Sequence, residues 1–166
     1  MTTDLIPTCD LCDRFKGDTS GDFRVLPPVF REFGGRAAFS GTAVTVKCFE
    51  DNTSVKALLE GPGEGRVLVV DGAGSLRRAL VGGNIGAAAA RNGWAGVIVD
   101  GCVRDVAELR AAGIPIRALA LMPLRTEKRG EGQAGEPVRI QGLWVRPGDW
   151  LYADADGMVV ADRSLL

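Results

Sequence analysis

Two apolar runs that each end in Asp-Gly constrain the fold of this chain more than any other feature. The runs cover residues 66–72 and 96–101, and the alanine-rich stretch 85–91 between them has helical character. A strand, a helix and a second strand at this spacing predict a βαβ unit with parallel strands and a right-handed crossover. Because both runs are apolar throughout, we expect strands that are covered on both faces.

The flanking patterns extend this unit into an α/β domain. Helices are predicted at residues 4–15, 53–59 and 105–112, and an extended segment at 25–30. Further strands are predicted at residues 42–49, 116–121, 138–140, 143–145, 150–153 and 158–161. The polar stretch 125–136 is expected to form an exposed, mobile loop. Asp154-Ala155-Asp156-Gly157 predicts a tight hairpin turn; it also resembles part of a calcium loop, although the closing glutamate is absent.

Length and charge narrow the classes of function. A chain of 166 residues fits one domain, and its 20 basic and 21 acidic residues indicate no cationic surface for nucleic acids or anionic membranes. No apolar run approaches the roughly 18 residues of a membrane span. The first residues lack the basic and apolar regions of a secretory signal. We therefore expect a cytoplasmic protein without direct nucleic-acid or membrane partners.

The chain contains no histidine, which removes much of the usual catalytic chemistry. Ser-His-Asp catalysis, Cys-His catalysis and His-ligated zinc are all excluded. Any catalysis must use carboxylates, Arg, Lys, Tyr, Cys, water or an oxygen-ligated metal. A hard divalent cation such as Mg²⁺ or Mn²⁺ is therefore favoured over zinc.

The cysteines do not form a recognisable metal or redox site. Cys9 and Cys12 have the spacing of such a site, but no second Cys pair or His completes a zinc centre. We interpret them as reduced thiols. Cys48 and Cys102 lie in predicted strands and are expected to be small buried residues.

The candidate site lies between Gly82 and Glu108. The turn Gly82-Gly83-Asn84-Ile85 precedes a helix, so its backbone N–H groups can bind an anion, although it matches neither the dinucleotide fingerprint nor the P-loop. Arg104-Asp105 follows the second apolar run; the guanidinium can clamp a carboxylate and the carboxylate can hold a cation. Each feature alone also has a structural explanation, as a turn or as charges at a helix start. Together they predict a small-anion site.

Schiff-base catalysis by a lysine is the main competing hypothesis for a carbonyl substrate. It requires a desolvated lysine with a lowered pKa. The four lysines are Lys16, Lys47, Lys56 and Lys128. Lys47 lies on the polar face of its predicted strand and Lys128 in the polar loop, so neither pattern favours this chemistry.

Several separate motifs resemble one known family. They are Phe33-Gly34-Gly35-Arg36, Val46 to Asn52, Asp71 to Arg77, Gly101 to Asp105 and Pro147 to Trp150. In order and spacing they resemble the regulator of ribonuclease activity A (RraA-like) family, which includes class II 4-hydroxy-4-methyl-2-oxoglutarate aldolases. The resemblance covers residues 20–162, so that residues 1–20 would be an extension of a single domain spanning 1–166. Some members were once labelled menaquinone-pathway methyltransferases, but no glycine-rich adenosylmethionine loop is evident.

The resemblance implies a swivelling β/β/α fold with a central βαβ unit and a C-terminal β-hairpin region. It also implies homotrimeric rings, or hexamers made of two rings, with sites in clefts between subunits. The implied reaction is the cleavage of 4-hydroxy-4-methyl-2-oxoglutarate to two pyruvates on a divalent metal. Oxaloacetate decarboxylation would proceed through the same pyruvate enolate. The alternative is a non-catalytic inhibitor that binds an endoribonuclease.

The resemblance also implies roles for individual residues. Asp105 would be the metal ligand, mostly through waters, and Arg104 would bind the carboxylate of the 2-oxo acid. Backbone amides of the turn from Gly82 through Gly83 and Asn84 to Ile85 would complete the substrate pocket. Glu108 would support these residues without touching the substrate. One position departs from the pattern, since Gly83 stands where many relatives carry Asp.

Overall fold

The computed structural model describes residues 5–166, in which short helices and strands surround one long strand. The helices are α1 (Thr8–Phe15), α2 (Thr53–Leu59), α3 (Gly83–Arg91) and α4 (Val106–Ala112). The strands are β1 (Phe23–Val25), β2 (Arg31–Glu32), β3 (Phe39–Lys47), β4 (Val67–Asp71), β5 (Ala79–Val81), β6 (Gly96–Val103), β7 (Ile116–Leu121), β8 (Gln133–Ala134), β9 (Val138–Ile140), β10 (Leu143–Val145), β11 (Trp150–Ala153) and β12 (Met158–Ala161).

The long strand β3 joins two kinds of sheet. Its first residues pair antiparallel with β11, and its later residues pair parallel with β4. The order along the described sheet is β1-β12-β11-β3-β4-β6-β7-β2, with β5 added beside β6 and β8 beside β3. Strands β9 and β10 form a separate ribbon. The parallel part brings the carboxyl ends of β4, β5 and β6 to one edge, where ligands collect in α/β sheets.

The core lies on both faces of the parallel strands. All residues of β4 and β6 are buried, as their unbroken apolar runs predict. On one face, α2, α3 and α4 contribute residues such as Leu59, Ala89 and Leu109 to the larger cluster. On the other face, residues of the β9–β10 ribbon and of β11 and β12 pack against Val69 and Ile98. This packing holds the starts of α3 and α4 at the edge of the parallel sheet.

The predicted α/β class and the central βαβ unit are confirmed. Strands β4 and β6 are parallel neighbours, with Asp71 opposite Asp100, and α3 connects them. The hairpin between β11 and β12 also forms. The structure differs in four short strands, β1, β2, β5 and β8, that local patterns do not indicate, and the segment predicted to be extended at 25–30 contains a turn at residues 28–29. Helix α1 begins at Thr8, after Pro7 at its N-cap, and the predicted start at residue 4 lies outside the described residues.

The cysteines behave as the sequence predicts. All four thiols are unpaired; Cys48 and Cys102 are buried, and burial raises the pKa of the Cys48 thiol to about 12. Such a thiol is protonated at neutral pH and is a poor nucleophile. Within residues 5–166, no helix has the length and apolar character needed to cross a bilayer.

Candidate functional site

Two strand-to-helix turns lie side by side at the edge of the parallel sheet. Strand β5 runs parallel to the end of β6, and the backbone N–H of Arg104 donates to the carbonyl of Val81 at 2.9 Å. The chain leaves β5 through Gly82 into α3, and leaves β6 through Arg104 and Asp105 into α4. The two motifs that the sequence analysis singled out are therefore brought together by the short strand β5, which it did not predict.

The carboxylate of Asp105 caps the neighbouring helix instead of its own. Its Oδ2 accepts a hydrogen bond from the backbone N–H of Gly83, the first residue of α3, at 2.9 Å. A β-carbon at Gly82 would lie 2.9 Å from the same Oδ2 and 3.3 Å from Nε of Arg104. A side chain at position 82 would therefore displace the carboxylate of Asp105 from its place beside α3. The negative charge at the start of α3 is also favoured by the helix dipole.

Asp105 itself has an unusual backbone conformation. Its φ and ψ angles are 61° and 47°, in the left-handed region that few non-glycine residues adopt. Aspartate tolerates this region better than most residues, but the conformation still costs free energy. Such strain concentrates at functional sites, because the surrounding structure holds a side chain where the chemistry needs it. Here the left-handed conformation directs the carboxylate of Asp105 across to α3.

The guanidinium of Arg104 lies beside this carboxylate. Its Nε is 3.8 Å from Asp105 Oδ2, and its Nη1 donates to the carbonyl of Pro123 at 3.3 Å. The side chain is 36% exposed, so donors remain accessible to a ligand. Because a guanidinium presents five N–H groups in a planar fork, these two contacts leave enough of them to clamp a carboxylate.

Both turns line one cavity of about 170 Å³. This is smaller than the roughly 300 to 1,000 Å³ of pockets for drug-sized ligands, and it suits a small metabolite. Its lining residues are Asn52, Lys56, Ala79, Gly82, Gly83, Asn84, Ile85, Arg104, Asp105, Arg125, Thr126 and Lys128. The structure therefore places the predicted substrate-binding turn and the Arg-Asp pair in the same cavity. The N–H groups of Asn84 and Ile85, at the open start of α3, are available to an anion.

Asp51 holds the far wall of the cavity in place. This wall consists of Asn52, Lys56, Arg125, Thr126 and Lys128. Its Oδ2 accepts N–H donors from Arg129 at 2.8 Å and Glu131 at 3.1 Å, and its Oδ1 accepts the N–H and hydroxyl of Thr53. Apart from the buried Thr126, the stretch 125–136 is exposed as predicted, but it is tied to the start of α2 and also contributes β8. Burial by itself would raise the pKa of the Asp51 carboxyl, but these hydrogen bonds outweigh it and lower the pKa to about 2.

We expect Asp51→Asn to lower the free energy of unfolding at pH 7 by about 2 kcal/mol. The folded-state pKa lies below the ordinary value of 3.8, so the carboxylate stabilises the fold above about pH 4, and this contribution is lost as the pH falls towards 2. Urea unfolding of both proteins at pH 7 and pH 3 measures the effect. The difference between them should shrink at pH 3; an equal difference at both values would contradict the assignment.

Glu108 lies beside the site but does not line the cavity. A β-carbon at Gly83 would overlap the Glu108 carboxylate and would lie 2.8 Å from its Cδ. The Glu108 side chain therefore occupies the space into which a side chain at position 83 would extend. The absence of a side chain at Gly83 and the position of Glu108 are two aspects of one packing arrangement at the start of α3.

The residues present fit a hydrated divalent cation. Among the described lining residues Asp105 is the one carboxylate; it is 39% exposed, and its hydrogen bond to Gly83 uses only Oδ2. Residues 5–166 contain no cluster of three or more Cys, Asp or Glu side chains that could surround a metal. A cation here would take most of its ligands from water and substrate. Mg²⁺ tolerates this arrangement, because it dehydrates reluctantly and binds proteins through one or two carboxylates.

The far wall of the cavity could not be predicted from local patterns. Asn52 directly precedes the helix predicted at residues 53–59, and Thr126 and Lys128 lie in the stretch predicted to be a loop. The signal that could have found them is the parallel pairing of β6 and β7, which brings the segment after β7 to the same sheet edge. The lysines of this wall are largely exposed, and Lys56 pairs with Glu60 at 3.5 Å. Neither is the desolvated lysine that Schiff-base catalysis requires.

Comparison with known proteins gives a consistent assignment. A family model described as RraA-like, Aldolase/RraA, matches residues 8–160. A protein of Albidiferax ferrireducens, provisionally named 4-hydroxy-4-methyl-2-oxoglutarate aldolase, is 69% identical, and the match covers 99% of each chain.

Two solved structures have the same fold. The RNA-processing inhibitor RraA from Thermus thermophilis superposes with a TM-score of 0.90 and 44% identity, over 97% of this chain and 95% of that one. A protein of Geobacillus kaustophilus described as an S-adenosylmethionine:2-dimethylmenaquinone methyltransferase gives a TM-score of 0.87 and 43% identity, over 96% and 97% of the two chains. The names of these relatives point to three different activities, so the site itself must discriminate between them.

Proposed function

Since the chain belongs to the RraA-like family, we propose that it is a divalent-metal-dependent lyase. The proposed reaction is the cleavage of 4-hydroxy-4-methyl-2-oxoglutarate to two pyruvates, with oxaloacetate decarboxylation as a related activity. The aldolase name of the 69% identical relative supports the reaction class. The observation that carries the proposal is the cavity in which Arg104, Asp105 and the start of α3 converge.

Arg104, Asp105 and the start of α3 form the near wall of the cavity. In this proposal each of them acts on one part of the substrate. Arg104 binds the 2-oxo acid carboxylate, and the N–H groups at the start of α3 add neutral donors to the same anion. Asp105 holds the cation, and its hydrogen bond to Gly83 keeps the carboxylate oriented. When bound, the cation supplies Lewis-acid stabilisation of the negative charge that develops on the 2-oxo oxygen.

The chain's own residues limit how protons move. There is no histidine anywhere in the sequence, and Gly83 adds no carboxylate to the cavity. In the proposed cleavage the substrate hydroxyl gives its proton to water within the cavity, and the pyruvate enolate left by C–C cleavage takes a proton back from water. Asp105 and Glu108 are the acidic side chains beside the start of α3. Arg104 keeps the scissile bond near Asp105 by fixing the carboxylate end of the substrate.

Pyruvate release tests the proposal directly. We expect the protein to release pyruvate from 4-hydroxy-4-methyl-2-oxoglutarate and from oxaloacetate with Mg²⁺ or Mn²⁺, and to stop when EDTA is added. Rates are compared with the same metal without protein, since oxaloacetate decarboxylates on free metal ions. Release no faster than this background from both substrates would contradict the proposal.

A second candidate function is the inhibition of an endoribonuclease by direct binding. The observation that favours it is the similarity to the RNA-processing inhibitor RraA from Thermus thermophilis, at a TM-score of 0.90. With a formal net charge of −1, the chain is not suited to compete through RNA, so binding would be to the ribonuclease itself. Immobilised protein in host lysate should then retain a ribonuclease, whereas a protein that acts only as a lyase should not.

A further inference from the structure

Asn92 and Gly93 form the one Asn-Gly pair of the chain and lie at the end of α3. The chain has three asparagines, and the other two, Asn52 and Asn84, precede Thr and Ile. An asparagine followed by glycine loses ammonia more readily than other asparagines, because glycine has no β-carbon to hinder its backbone nitrogen from attacking the amide carbon. The surroundings of the pair in the fold determine when this attack can occur.

The side chain of Asn92 joins the end of α3 to the end of α2. Leu59 is the last residue of α2, so its carbonyl has no partner within the helix. The Nδ2 of Asn92 donates to this carbonyl at 3.0 Å. Because a carbonyl only accepts, the amide nitrogen of Asn92 faces it and not the amide oxygen. The group that deamidation removes is therefore the donor of this contact.

Main-chain hydrogen bonds hold the same two segments together. The α2–α3 joint consists of residues 59–65 and 92–94. The carbonyl of Asn92 accepts from the N–H of Gly63 at 2.7 Å, and the carbonyl of Gly93 accepts from the N–H of Gly65 at 2.8 Å. Both residues of the Asn-Gly pair are thus fixed by their own carbonyl groups.

Trp94 packs into the joint and adds a further contact. Its side chain is 5% exposed, and its Nε1 donates to the carbonyl of Gly61 at 3.1 Å. A β-carbon at Gly63 would lie 2.6 Å from Cγ of Trp94, so the ring and the loop backbone are in close contact. The joint is therefore closed tightly around the Asn-Gly pair.

The conformation of Asn92 keeps the reacting atoms apart while the joint is closed. Its ψ angle is 9°. Closing a five-membered ring between the Gly93 nitrogen and Cγ of Asn92 requires a rotation of about 120° around the Cα–C bond, since Cβ is set off from the backbone nitrogen by that angle. The rotation swings the Asn92 carbonyl away from Gly63. Deamidation therefore requires the joint to open, as local segments of folded proteins do.

We propose that Asn92 is a site of spontaneous deamidation, that opening of the α2–α3 joint limits its rate, and that the product cannot close the joint again. The Gly93 nitrogen attacks Cγ of Asn92, the bond from Cγ to Nδ2 breaks, and Nδ2 leaves as ammonia with the proton of the Gly93 amide. Water then opens the cyclic imide and gives aspartate or isoaspartate. This proposal is independent of the lyase reaction.

Both products disrupt the joint. In the aspartate form a carboxylate faces the carbonyl of Leu59, and two acceptors cannot form a hydrogen bond. In the isoaspartate form the main chain between residues 92 and 93 is longer by one carbon. The carbonyl groups of both residues then no longer match the N–H groups of Gly63 and Gly65.

Mass spectrometry of the full chain incubated at pH 8 and 37 °C follows the reaction. We expect the change at Asn92, in the tryptic peptide of residues 92–104, with Asn52 and Asn84 unmodified. In urea that unfolds the chain, conversion should be faster by about 100-fold or more, because the joint is then always open.

Two variants test whether the joint itself controls the rate. Trp94→Phe removes the hydrogen bond to Gly61 and keeps most of the ring, so the joint should open, and Asn92 should deamidate, about fivefold faster. Val159→Ala lowers stability in the separate cluster under α1. It leaves the joint intact and should leave the rate of the folded chain unchanged.

Asn92→Asp reproduces one product and tests its effect on the fold. Its Tm should lie about 3 to 6 °C below that of the wild type, because the Leu59 carbonyl loses its donor. Gln133→Glu makes the same amide-to-acid change at an exposed site outside the joint and should leave Tm unchanged.

Four results would each overturn the proposal. They are no conversion of Asn92 in the folded or the unfolded chain, equal rates in both, equal acceleration by Trp94→Phe and Val159→Ala, and a wild-type Tm for Asn92→Asp.

Discussion

Asp105→Ala is expected to reduce pyruvate release by about 10³-fold or more. The substitution removes the carboxylate proposed to hold the cation, and removing one electrostatic group at a reacting centre has effects of this size. It also removes the acceptor of the Gly83 N–H group, so the start of α3 loses its negative partner. Steady-state rates with Mg²⁺ on both proposed substrates measure the loss.

Asp105→Asn is the more informative partner variant. Alanine is strained in the left-handed conformation of residue 105, whereas asparagine tolerates it and still offers an oxygen to Gly83. The asparagine variant should therefore unfold near the wild-type Tm and still lose most turnover, because the charge is gone. Asp162→Asn, an exposed site remote from the cavity, provides the control. Turnover near that of the wild type in Asp105→Asn would defeat the assignment.

Gly34→Ala is expected to lower the free energy of unfolding by about 3 kcal/mol or more. A β-carbon at this position would overlap the carbonyl oxygen of Ile114 and lie 2.5 Å from the backbone nitrogen of Ile116. Both are main-chain atoms at the entry to β7, held by the hydrogen bonds that residues 33 and 35 make there. Such atoms cannot move aside by changing a rotamer, so the strain is not relieved locally.

Thermal unfolding measures this effect. For a chain of this size, a loss of 3 kcal/mol corresponds to a decrease in Tm of about 6 to 12 °C. Gly17→Ala is the matched control, since that glycine is exposed and nothing lies within 4 Å of its β-carbon position. If the Tm of Gly34→Ala is as close to the wild-type value as that of Gly17→Ala, the prediction is wrong. Residues 33–35 and the entry to β7 could then move apart without a cost in free energy.

The parts of the fold that the sequence predicts are those with strong local signals. The unbroken apolar runs predict β4 and β6, and α2 spans Thr53–Leu59 as expected. The Asp-Gly pair at 156–157 predicts the final hairpin. These features depend on residues close to one another in the chain. A single sequence therefore contains enough information to place them.

The features that were missed depend on pairing between distant segments. Strand β5 has three residues and pairs with the part of β6 that extends beyond the end of β4, while β8 has two residues and forms against β3. The near wall of the cavity could be predicted, because Gly82 and Arg104 belong to motifs with recognisable chemistry. Thr126 gives no such signal, because the segment that carries it is held beside β5 by the hydrogen bond from the Ala79 N–H to the carbonyl of Leu124, a contact between distant residues that no local pattern encodes.

The tether at Asp51 has a consequence for how the lining of the cavity can change during evolution. The segment that carries Thr126 and Lys128 is anchored by main-chain N–H groups at Arg129 and Glu131, which any non-proline side chain would provide. Its sequence is therefore free to vary while its attachment persists. Side chains of this wall can thus be exchanged without loosening the segment from the start of α2.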